Sequence, residues 1–318
     1  MFLFKVLITP RSFEKIKDKF EEVFKEEGIE VMLNPFGRVL TEEEMRELIR
    51  DVDGLIVGID PVTSKVLKNA NKLKVISKYG VGVDNIDILE AKKRNIVVTN
   101  TPGANSNAVA ELTVGLIINV LRKINLSDKK TREGRWDRFI GNELSEKTLG
   151  VIGTGSIGRR VIELLKGFNL RVLCFDKYPD YEWASKEKVF YVTLDELLRS
   201  SDVVSIHVPL TEETYHMISE KELRMMKKNA VLINTSRGGI VDEDALYRFL
   251  KEGRISGAGL DVFEKEPPQN SPLLQLDNVV VTSHIGAHTE EAVANMAKLA
   301  VENLLLALKG REPLSRVC

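Results

Sequence analysis

The fold is decided by the stretch Val151-Ile152-Gly153-Thr154-Gly155-Ser156-Ile157-Gly158, which reads as a buried strand, a glycine turn and the start of a helix. Gly153 permits the tight turn, Gly155 lets the backbone approach a pyrophosphate, and Gly158 lets the helix pack closely on the strand. The N–H groups at the start of that helix would face the phosphate charge. The stretch therefore predicts a binding site for a dinucleotide.

A second strand follows over Arg171–Phe175 and ends at Asp176, which lies 18 residues after Gly158. An acid at about 20 residues from the turn holds a ribose 2′-hydroxyl, and its charge repels a 2′-phosphate. The pattern predicts NAD, rather than NADP, as the cofactor. A glycine turn of purely structural origin is the alternative, and the flanking strands and the acid argue against it.

The composition is that of an ordinary globular protein, with 318 residues of which 43% are hydrophobic and 29% charged. At about 100–200 residues per domain, this length predicts two domains. The net charge of −1 favours neither a nucleic acid nor a membrane surface as partner. Cys174 and Cys318 have no metal-ligand or CxxC spacing, so we expect no metal site and two reduced thiols in a cytoplasmic protein. We expect no signal peptide and no transmembrane segment, because the apolar stretches are too short.

Strand-like and helix-like segments alternate before residue 100 and again from Leu149, which predicts parallel sheets with helices on both faces. The last helix, over residues 290–308, is expected to pack back on the first domain. The predicted fold is α/β with two doubly wound parallel-sheet domains. A Rossmann NAD domain, residues 103–287, is inserted in a flavodoxin-like substrate domain formed by residues 1–102 and 288–318.

Some predicted elements are specific enough to be checked one by one. A single helix is expected over residues 12–27. Six strands are expected in the second series, at residues 149–152, 171–175, 203–206, 230–233, 257–260 and 279–281. The polar stretch 123–147 contains Trp136 and is either an arm that packs on another subunit or a solvent-exposed excursion with one packed tryptophan.

Polar residues follow three predicted strands at their carboxyl ends, where the ligand crevice of an open parallel sheet lies. Arg237 stands beside two glycines, and its guanidinium suits bidentate binding of a carboxylate. Glu266 precedes two prolines in a loop that begins at Asp261, and His284 follows the last strand. The alternative interpretation of Arg237 is a surface arginine in a turn, and that of Asp261 and Glu266 is a solvated loop carboxylate. Together they indicate hydride transfer between a nicotinamide and a 2-hydroxy or 2-oxo acid.

In such a reaction Arg237 would bind the substrate carboxylate and carbonyl, and His284 would carry the hydroxyl proton. Glu266 would orient His284 and stabilise its charged form. Of the remaining histidines, His207 is expected to line the cofactor pocket and His216 to be structural, whereas His288 is ambiguous.

These motifs, in this order, resemble the D-isomer-specific 2-hydroxyacid dehydrogenases over essentially the whole chain. The motifs that carry the resemblance are Lys78-Tyr79-Gly80-Val81-Gly82-Val83-Asp84-Asn85-Ile86-Asp87, Asn100-Thr101-Pro102-Gly103-Ala104-Asn105-Ser106-Asn107-Ala108-Val109-Ala110-Glu111, the glycine stretch with Asp176, His207-Val208-Pro209, Asn234-Thr235-Ser236-Arg237-Gly238, Leu260-Asp261-Val262-Phe263 with Glu266-Pro267, and Ser283-His284-Ile285-Gly286-Ala287.

The resemblance implies the same catalytic roles for Arg237, Glu266 and His284, and a substrate carboxylate held by the backbone N–H groups of Val81 and Gly82. It also implies a homodimer joined through the nucleotide domains, which favours the arm interpretation of residues 123–147. With the residues already discussed, the expected NAD-binding set is Gly153, Gly155, Ser156, Ile157, Gly158, Asp176, His207, Val208, Pro209, Thr235, Ser236, Arg237, Asp261, His284, Gly286 and Ala287.

Within the family, the segments from Lys78 to Glu111 are most similar to D-3-phosphoglycerate dehydrogenases. D-3-phosphoglycerate, as in serine biosynthesis, is therefore the leading expected substrate, and reduction of glyoxylate or hydroxypyruvate is the runner-up. The arginine that helps those enzymes hold the phosphate is missing from the segment Leu55-Ile56-Val57-Gly58-Ile59-Asp60, and Lys78 would supply a point charge instead. In addition, His288 stands where a serine is common.

Because the sequence ends at Cys318, we expect a short form without a regulatory domain. An alternative of another class is an NAD(H)-responsive, corepressor-like binding protein. The presence of Arg237, Glu266 and His284 favours the enzyme.

Overall fold

The computed structural model describes residues 3–318, which divide into two compact units. Unit 1 consists of the described residues up to Asn105 together with Ala287–Cys318, and unit 2 consists of Ser106–Gly286. Unit 1 is therefore discontinuous in sequence, and unit 2 is inserted in it.

The helices and strands follow one another along the chain. The first part of unit 1 contains β1 (Phe4–Ile8), α1 (Arg11–Glu14), α2 (Glu21–Glu26), β2 (Ile29–Leu33), α3 (Glu42–Leu48), β3 (Gly54–Val57), α4 (Ser64–Leu67), β4 (Val75–Lys78), α5 (Ile88–Lys93) and β5 (Val97–Thr99). Unit 2 contains α6 (Ser106–Arg122), α7 (Ile124–Arg132), β6 (Thr148–Ile152), α8 (Ser156–Leu164), β7 (Arg171–Phe175), α9 (Tyr181–Glu187), β8 (Phe190–Tyr191), α10 (Leu194–Ser200), β9 (Val203–Ile206), α11 (Glu220–Leu223), β10 (Val231–Asn234), α12 (Glu243–Lys251), β11 (Gly257–Leu260) and β12 (Val279–Val281). The last part of unit 1 contains α13 (Glu290–Leu308).

Both sheets are parallel. In unit 1 the strand order is β2-β1-β3-β4-β5, which is the flavodoxin-like order. In unit 2 the order is β12-β11-β10-β9-β6-β7-β8. Its first strand, β6, lies between β7 and β9, so the order reverses there, as in a Rossmann domain. The predicted fold class is confirmed.

The central strands of both sheets are buried along their whole length. Helices cover both faces of such sheets, which is why these strands read as apolar runs in the sequence. In unit 1 the helix α13 supplies part of this cover, and Met296, Ala300 and Leu304 belong to the same core cluster as Ile56 and Val75.

The prediction of a single helix over residues 12–27 is wrong. The structure has α1, a 3₁₀ turn over Lys17–Phe20 and α2 in its place. The rings of Phe13 and Phe20 stack with their centroids 5.3 Å apart. In an unbroken helix, residues seven apart are separated by about 10 Å along the axis. The break therefore allows the two aromatic side chains to meet in the core.

The prediction of six strands in unit 2 is also incomplete. The seventh strand, β8, has two residues and pairs with the edge of β7. Two residues carry no periodicity that a sequence pattern could detect. Among residues 3–318, no helix has the length and apolar character needed to cross a membrane, and no group of three or more His, Cys, Asp or Glu side chains is arranged to hold a metal ion.

Candidate active site

The glycine turn lies at the carboxyl end of β6, where the strand order of unit 2 reverses. Gly153 has a φ of +95°, and a Cβ there would lie 2.8 Å from the carbonyl carbon of His207. A Cβ at Gly158 would lie 2.0 Å from the carbonyl oxygen of Gly153. By contrast, a Cβ at Gly155 would meet no atom within 4 Å. The turn is therefore tightly packed at Gly153 and Gly158 and open at Gly155. The open space beside the N-terminus of α8 is suited to a pyrophosphate.

The side chain of Asp176 is hydrogen-bonded to the glycine turn after β6. Its Oδ2 accepts hydrogen bonds from the backbone N and the Oγ1 of Thr154, at 2.6 Å and 3.0 Å, and its Oδ1 accepts one from the N of Tyr178 at 2.9 Å. The hydroxyl of Tyr191 lies 2.7 Å from Thr154 Oγ1. The sequence did not identify Thr154 or Tyr191 as functional, because Thr154 occupies a variable position of the motif and Tyr191 belongs to the unpredicted strand β8.

His207 follows β9 and contacts the glycine turn through its backbone, with its N donating to Ile152 O at 2.7 Å. Its Nε2 lies 2.8 Å from Ser205 Oγ. Its Nδ1 is buried and has no hydrogen-bond partner among the described residues. Burial lowers the pKa of His207 to about 3, so the ring is neutral at ordinary pH.

Other residues of the predicted cofactor set are positioned by α6. Ser156 Oγ accepts a hydrogen bond from Ser106 Oγ at 2.9 Å, and the buried Thr235 Oγ1 lies 2.8 Å from Thr113 Oγ1. Ile157 lies in the first turn of α8, and the turns that follow β9 and β10 carry Val208, Pro209, Ser236 and Arg237. Ala287 differs from the rest because it belongs to unit 1, where it packs against the core.

Asp261 holds the turn that carries His284. Its side chain is 1% exposed, and its Oδ1 accepts hydrogen bonds from Thr282 Oγ1 at 2.6 Å and from Ile285 N at 2.8 Å. Its Oδ2 accepts one from Gly286 N at 2.9 Å, and its backbone carbonyl accepts one from His284 N at 2.9 Å. His284 itself has a φ of +54°, in the left-handed region that non-glycine residues seldom adopt. Asp261 therefore fixes a strained turn, and its role in binding NAD stays a prediction.

His284 and Glu266 form a pair, with Nδ1 and Oε2 2.7 Å apart. The other oxygen of Glu266, Oε1, accepts a hydrogen bond from Phe263 N at 3.1 Å. Burial alone would raise the pKa of Glu266, but the hydrogen bond and charge of His284, the Phe263 N–H and the charge of Arg237 together lower it. The carboxylate is therefore charged and accepts a hydrogen bond from Nδ1–H of the imidazole. This leaves Nε2 as the nitrogen that can exchange a proton with a substrate.

Arg237 lies between β10 and the 3₁₀ turn over Gly238–Ile240. Its carbonyl accepts a hydrogen bond from Asn234 Nδ2 at 2.8 Å, and its guanidinium donates one to Ser236 O at 2.7 Å. A Cβ at Gly238 would lie 1.9 Å from the carbonyl carbon of Phe263, so the loop that carries Glu266 packs directly on this turn. Unit 2 thus brings Arg237, Glu266 and His284 together.

The predicted substrate-binding residues of unit 1 follow β4. Gly80 has a φ of +136°, and the Val81 carbonyl accepts a hydrogen bond from Asn100 Nδ2 at 2.9 Å. Within residues 3–318 we find no acceptor for the N–H groups of Val81 and Gly82. Two adjacent backbone donors of this kind are suited to an anion such as a carboxylate.

Lys78 is 5% exposed and is part of a hydrogen-bonded cluster. Its Nζ donates to Gly58 O at 2.5 Å and to Asn85 Oδ1 at 2.8 Å. Asn85 Nδ2 in turn donates to the carbonyl oxygens of Gly58, at 3.1 Å, and Asp60, at 2.6 Å. The sequence predicted Lys78 as a point charge for the substrate and did not single out Asn85.

A family model described as D-isomer specific 2-hydroxyacid dehydrogenase, NAD binding domain, matches residues 114–286, which is more than half of the chain. The chain belongs to this family. The protein is accordingly an oxidoreductase of CH–OH donors, an NAD-dependent D-2-hydroxyacid dehydrogenase, and NAD is its cofactor.

The dehydrogenase is similar in sequence to curated proteins of two activities and in structure to a third enzyme. It is 44% identical over 322 residues to a glyoxylate reductase of Thermococcus litoralis, covering 97% of this chain and 95% of that protein. It is 44% identical over 310 residues to a D-3-phosphoglycerate dehydrogenase of Methanocaldococcus jannaschii, covering 96% of this chain and 58% of that protein. It is also similar, at 32% identity and a TM-score of 0.83 over 98% of each chain, to the crystal structure of a D-lactate dehydrogenase from Aquifex aeolicus complexed with NAD and lactic acid.

Proposed function

We propose that this dehydrogenase reduces a small unphosphorylated 2-oxo acid, glyoxylate or hydroxypyruvate, to the 2-hydroxy acid. The observation that carries the proposal is a buried carboxylate in the loop where the family's phosphoglycerate enzymes place an arginine. Asp60 is 3% exposed and accepts hydrogen bonds from Thr9 Oγ1 at 2.5 Å and Leu40 N at 2.8 Å. Because this negative charge is fixed in the loop, it repels a substrate phosphate.

The arrangement around Lys78 supports the same conclusion. The ammonium group donates to Gly58 O and Asn85 Oδ1, so binding a phosphate would require it to exchange these contacts. A lysine is also a point charge and lacks the bidentate geometry of the missing arginine. The 44% identity to the glyoxylate reductase of Thermococcus litoralis adds to this argument.

We assign the binding of NAD to residues of unit 2. The open turn at Gly155 and the N-terminus of α8 bind the pyrophosphate, and Asp176 binds the ribose hydroxyls. When bound, the reduced cofactor supplies the hydride that adds to the carbonyl carbon of the substrate.

The side chains of unit 2 then perform the acid–base part of the reaction. Arg237 binds the carboxylate and the carbonyl oxygen of the substrate. His284, protonated, donates a proton from Nε2 to the carbonyl oxygen and is left neutral. Glu266 keeps the ring in the orientation that presents Nε2, through its 2.7 Å contact with Nδ1.

D-3-phosphoglycerate is the second candidate substrate. It is favoured by the presence of a cation, Lys78, beside the loop and by the 44% identity to the phosphoglycerate dehydrogenase of Methanocaldococcus jannaschii. Turnover of either acid would also exclude a protein that only binds NAD(H) as a corepressor does.

A substrate panel with NADH separates the two candidates. We expect kcat/KM for glyoxylate or hydroxypyruvate to exceed that for 3-phosphohydroxypyruvate by about tenfold or more. In a second experiment, Gly58→Arg places a cation at a position where the nearest atoms to a Cβ belong to Pro10, at 3.6 Å, and Asp60, at 3.8 Å, which are ordinary contact distances. This variant is expected to lower KM for the phosphorylated acid alone, and Gly58→Gln is the uncharged control. A wild-type enzyme that prefers the phosphorylated acid would refute the proposal.

The homodimer is a further part of the proposal. After α7, which has no buried residue, the chain runs without regular structure as far as β6. Trp136 and Ile140 in this segment are 80% and 88% exposed. Two large apolar side chains in that state are suited to burial against a second copy of the chain.

A further inference from the structure

The loop that carries Glu266 is held by a second pair of carboxylates. Glu264 N donates to Glu243 Oε1 at 2.5 Å, and Glu243 N donates to Glu264 Oε1 at 3.2 Å. Glu243 is the first residue of α12, and its N–H is among those that have no partner within the helix. The N-terminus of a helix also favours a negative charge. The two residues therefore form a reciprocal link between α12 and the loop.

His216 adds a third segment to this link. Its Nε2 lies 3.0 Å from Glu264 Oε1, and its backbone N donates to Gly239 O at 2.8 Å. The imidazole stacks on Tyr215, with centroids 4.0 Å apart and an interplanar angle of 14°. His216 thus connects Glu264 to the turn that follows Arg237. We call Glu264, Glu243 and His216 the Glu264 cluster.

The contacts of the Glu264 cluster join the segments that carry the catalytic groups. Glu266 is two residues after Glu264, and its pair with His284 is partly exposed, with side-chain exposures of 32% and 35%. Packing alone does not fix a carboxylate in such a position. Catalytic groups need to be held within about 0.5 Å of their productive geometry, and the Glu264 cluster adds to the restraint that the Phe263 N–H places on Glu266.

We propose that the Glu264 cluster positions the Glu266–His284 pair and so sets the rate of proton transfer. None of its members touches the reacting atoms; they are positioning residues. The inference rests on the proposed roles of Glu266 and His284 and not on the identity of the 2-oxo acid.

Charged groups surround the cluster on several sides. Asp242, Asp244 and Lys265 line the same recess of the surface. Burial, followed by the charges of Glu264, Asp244 and Glu266, raises the pKa of Glu243 in spite of its hydrogen bond from Glu264 N. The acceptor role of Glu243 does not require its charge, and therefore the amide of a glutamine can replace its carboxylate.

Paired variants test the proposal, using the 2-oxo acid that the wild-type enzyme reduces best. Glu264→Ala and Glu243→Ala remove acceptors, whereas Glu264→Gln and Glu243→Gln keep them. We expect kcat to fall about tenfold or more in the alanine variants and to stay within about twofold of wild type in the glutamine variants. We expect the dissociation constant for NADH to be unchanged in all four.

The pH profile distinguishes positioning from a structural role. A displaced Glu266 interacts less with the imidazole of His284. The pH dependence of kcat/KM should therefore change in the alanine variants and not in the glutamine variants. If the alanine variants lower only the melting temperature, or change nothing, the proposal is wrong.

Two further variants separate the possible failures. Asp244→Asn removes a carboxylate from the same recess and is expected to leave kcat and the pH profile unchanged; a shift like that of Glu264→Ala would mean that charge alone is responsible. His284→Asn is expected to lower kcat by about a hundredfold or more. Full turnover of His284→Asn would overturn the proposed catalytic pair. If His284→Asn loses turnover but Glu264→Ala is fully active, only the positioning role of the Glu264 cluster is overturned.

Discussion

His207 couples the stability of unit 2 to pH. Its ring is held neutral by burial, which lowers its pKa to about 3, whereas a histidine in an unfolded chain has a pKa of about 6.5. Between these two values the unfolded chain binds a proton that the folded protein does not. The free energy of unfolding therefore decreases as the pH falls below about 6.5, and this contribution is complete above that pH.

A His207→Gln variant should lack this contribution. On going from pH 7 to pH 5, the wild-type protein should lose about 1–2 kcal/mol more of its free energy of unfolding than the variant does. Urea unfolding at both pH values measures the difference, and the two proteins should respond alike between pH 8 and pH 7. Equal losses between pH 7 and pH 5 would show that His207 is not the group responsible.

We expect Asp176 to set the cofactor preference through its charge, and Thr154 to act through the position that it gives to that charge. Asp176→Asn should raise kcat/KM for NADPH by about tenfold or more, because the repulsion of the 2′-phosphate is removed. Thr154→Val keeps the carboxylate but removes the 3.0 Å hydrogen bond, so it should reduce the use of NADH without improving that of NADPH. Equal kcat/KM values of the wild-type enzyme for the two cofactors would contradict this role.

At the scale of elements, α7 contributes no buried residue to unit 2, and two apolar side chains of the segment after it are exposed. Lys123, with a φ of +54°, separates α7 from α6, and Asn142 N returns to Leu121 O at 2.9 Å. The segment is therefore anchored at both ends, and Trp136 and Ile140 remain exposed between them. The sequence allowed either a subunit arm or a solvent-exposed excursion with one packed tryptophan. Trp136 is not packed in the single chain.

Trp136→Ser combined with Ile140→Ser tests the arm. Removing two large apolar side chains from a dimer interface should raise the dissociation constant of the dimer by about a hundredfold or more. Sedimentation equilibrium measures it, and Leu89→Ser, at a residue of α5 that is 74% exposed, is the matched control. A monomeric wild-type protein, or an unchanged constant in the double variant, would be incompatible with the arm.

At the scale of the whole molecule, the sequence predicts the architecture well because parallel strands are buried on both faces. Strands appear in the sequence as short apolar runs, and helices as longer amphipathic segments between them. The glycine turn identifies the first strand of the Rossmann domain. The sequence could single out Arg237, Glu266 and His284 for a related reason, since each follows a strand at the carboxyl edge of the sheet; their catalytic roles stay predictions.

The remaining features depend on contacts that a local pattern does not contain. His216 and Glu264 are 48 residues apart, and Thr154 and Tyr191 are 37 residues apart. Each pair meets because of the order and register of strands and because of short turns between them. The break between α1 and α2 has the same origin, as it depends on the packing of two rings in the core.

The discontinuity of unit 1 has a consequence for synthesis on the ribosome. The helix α13, which supplies Met296, Ala300 and Leu304 to the core of unit 1, is translated only after the whole of unit 2. Until it emerges, the sheet formed by the first residues of the chain leaves Ile56 and Val75 without this cover, and exposed apolar surface of this kind is prone to aggregation. Unit 1, whose first part is translated before unit 2, thus completes its core only after unit 2 has been made.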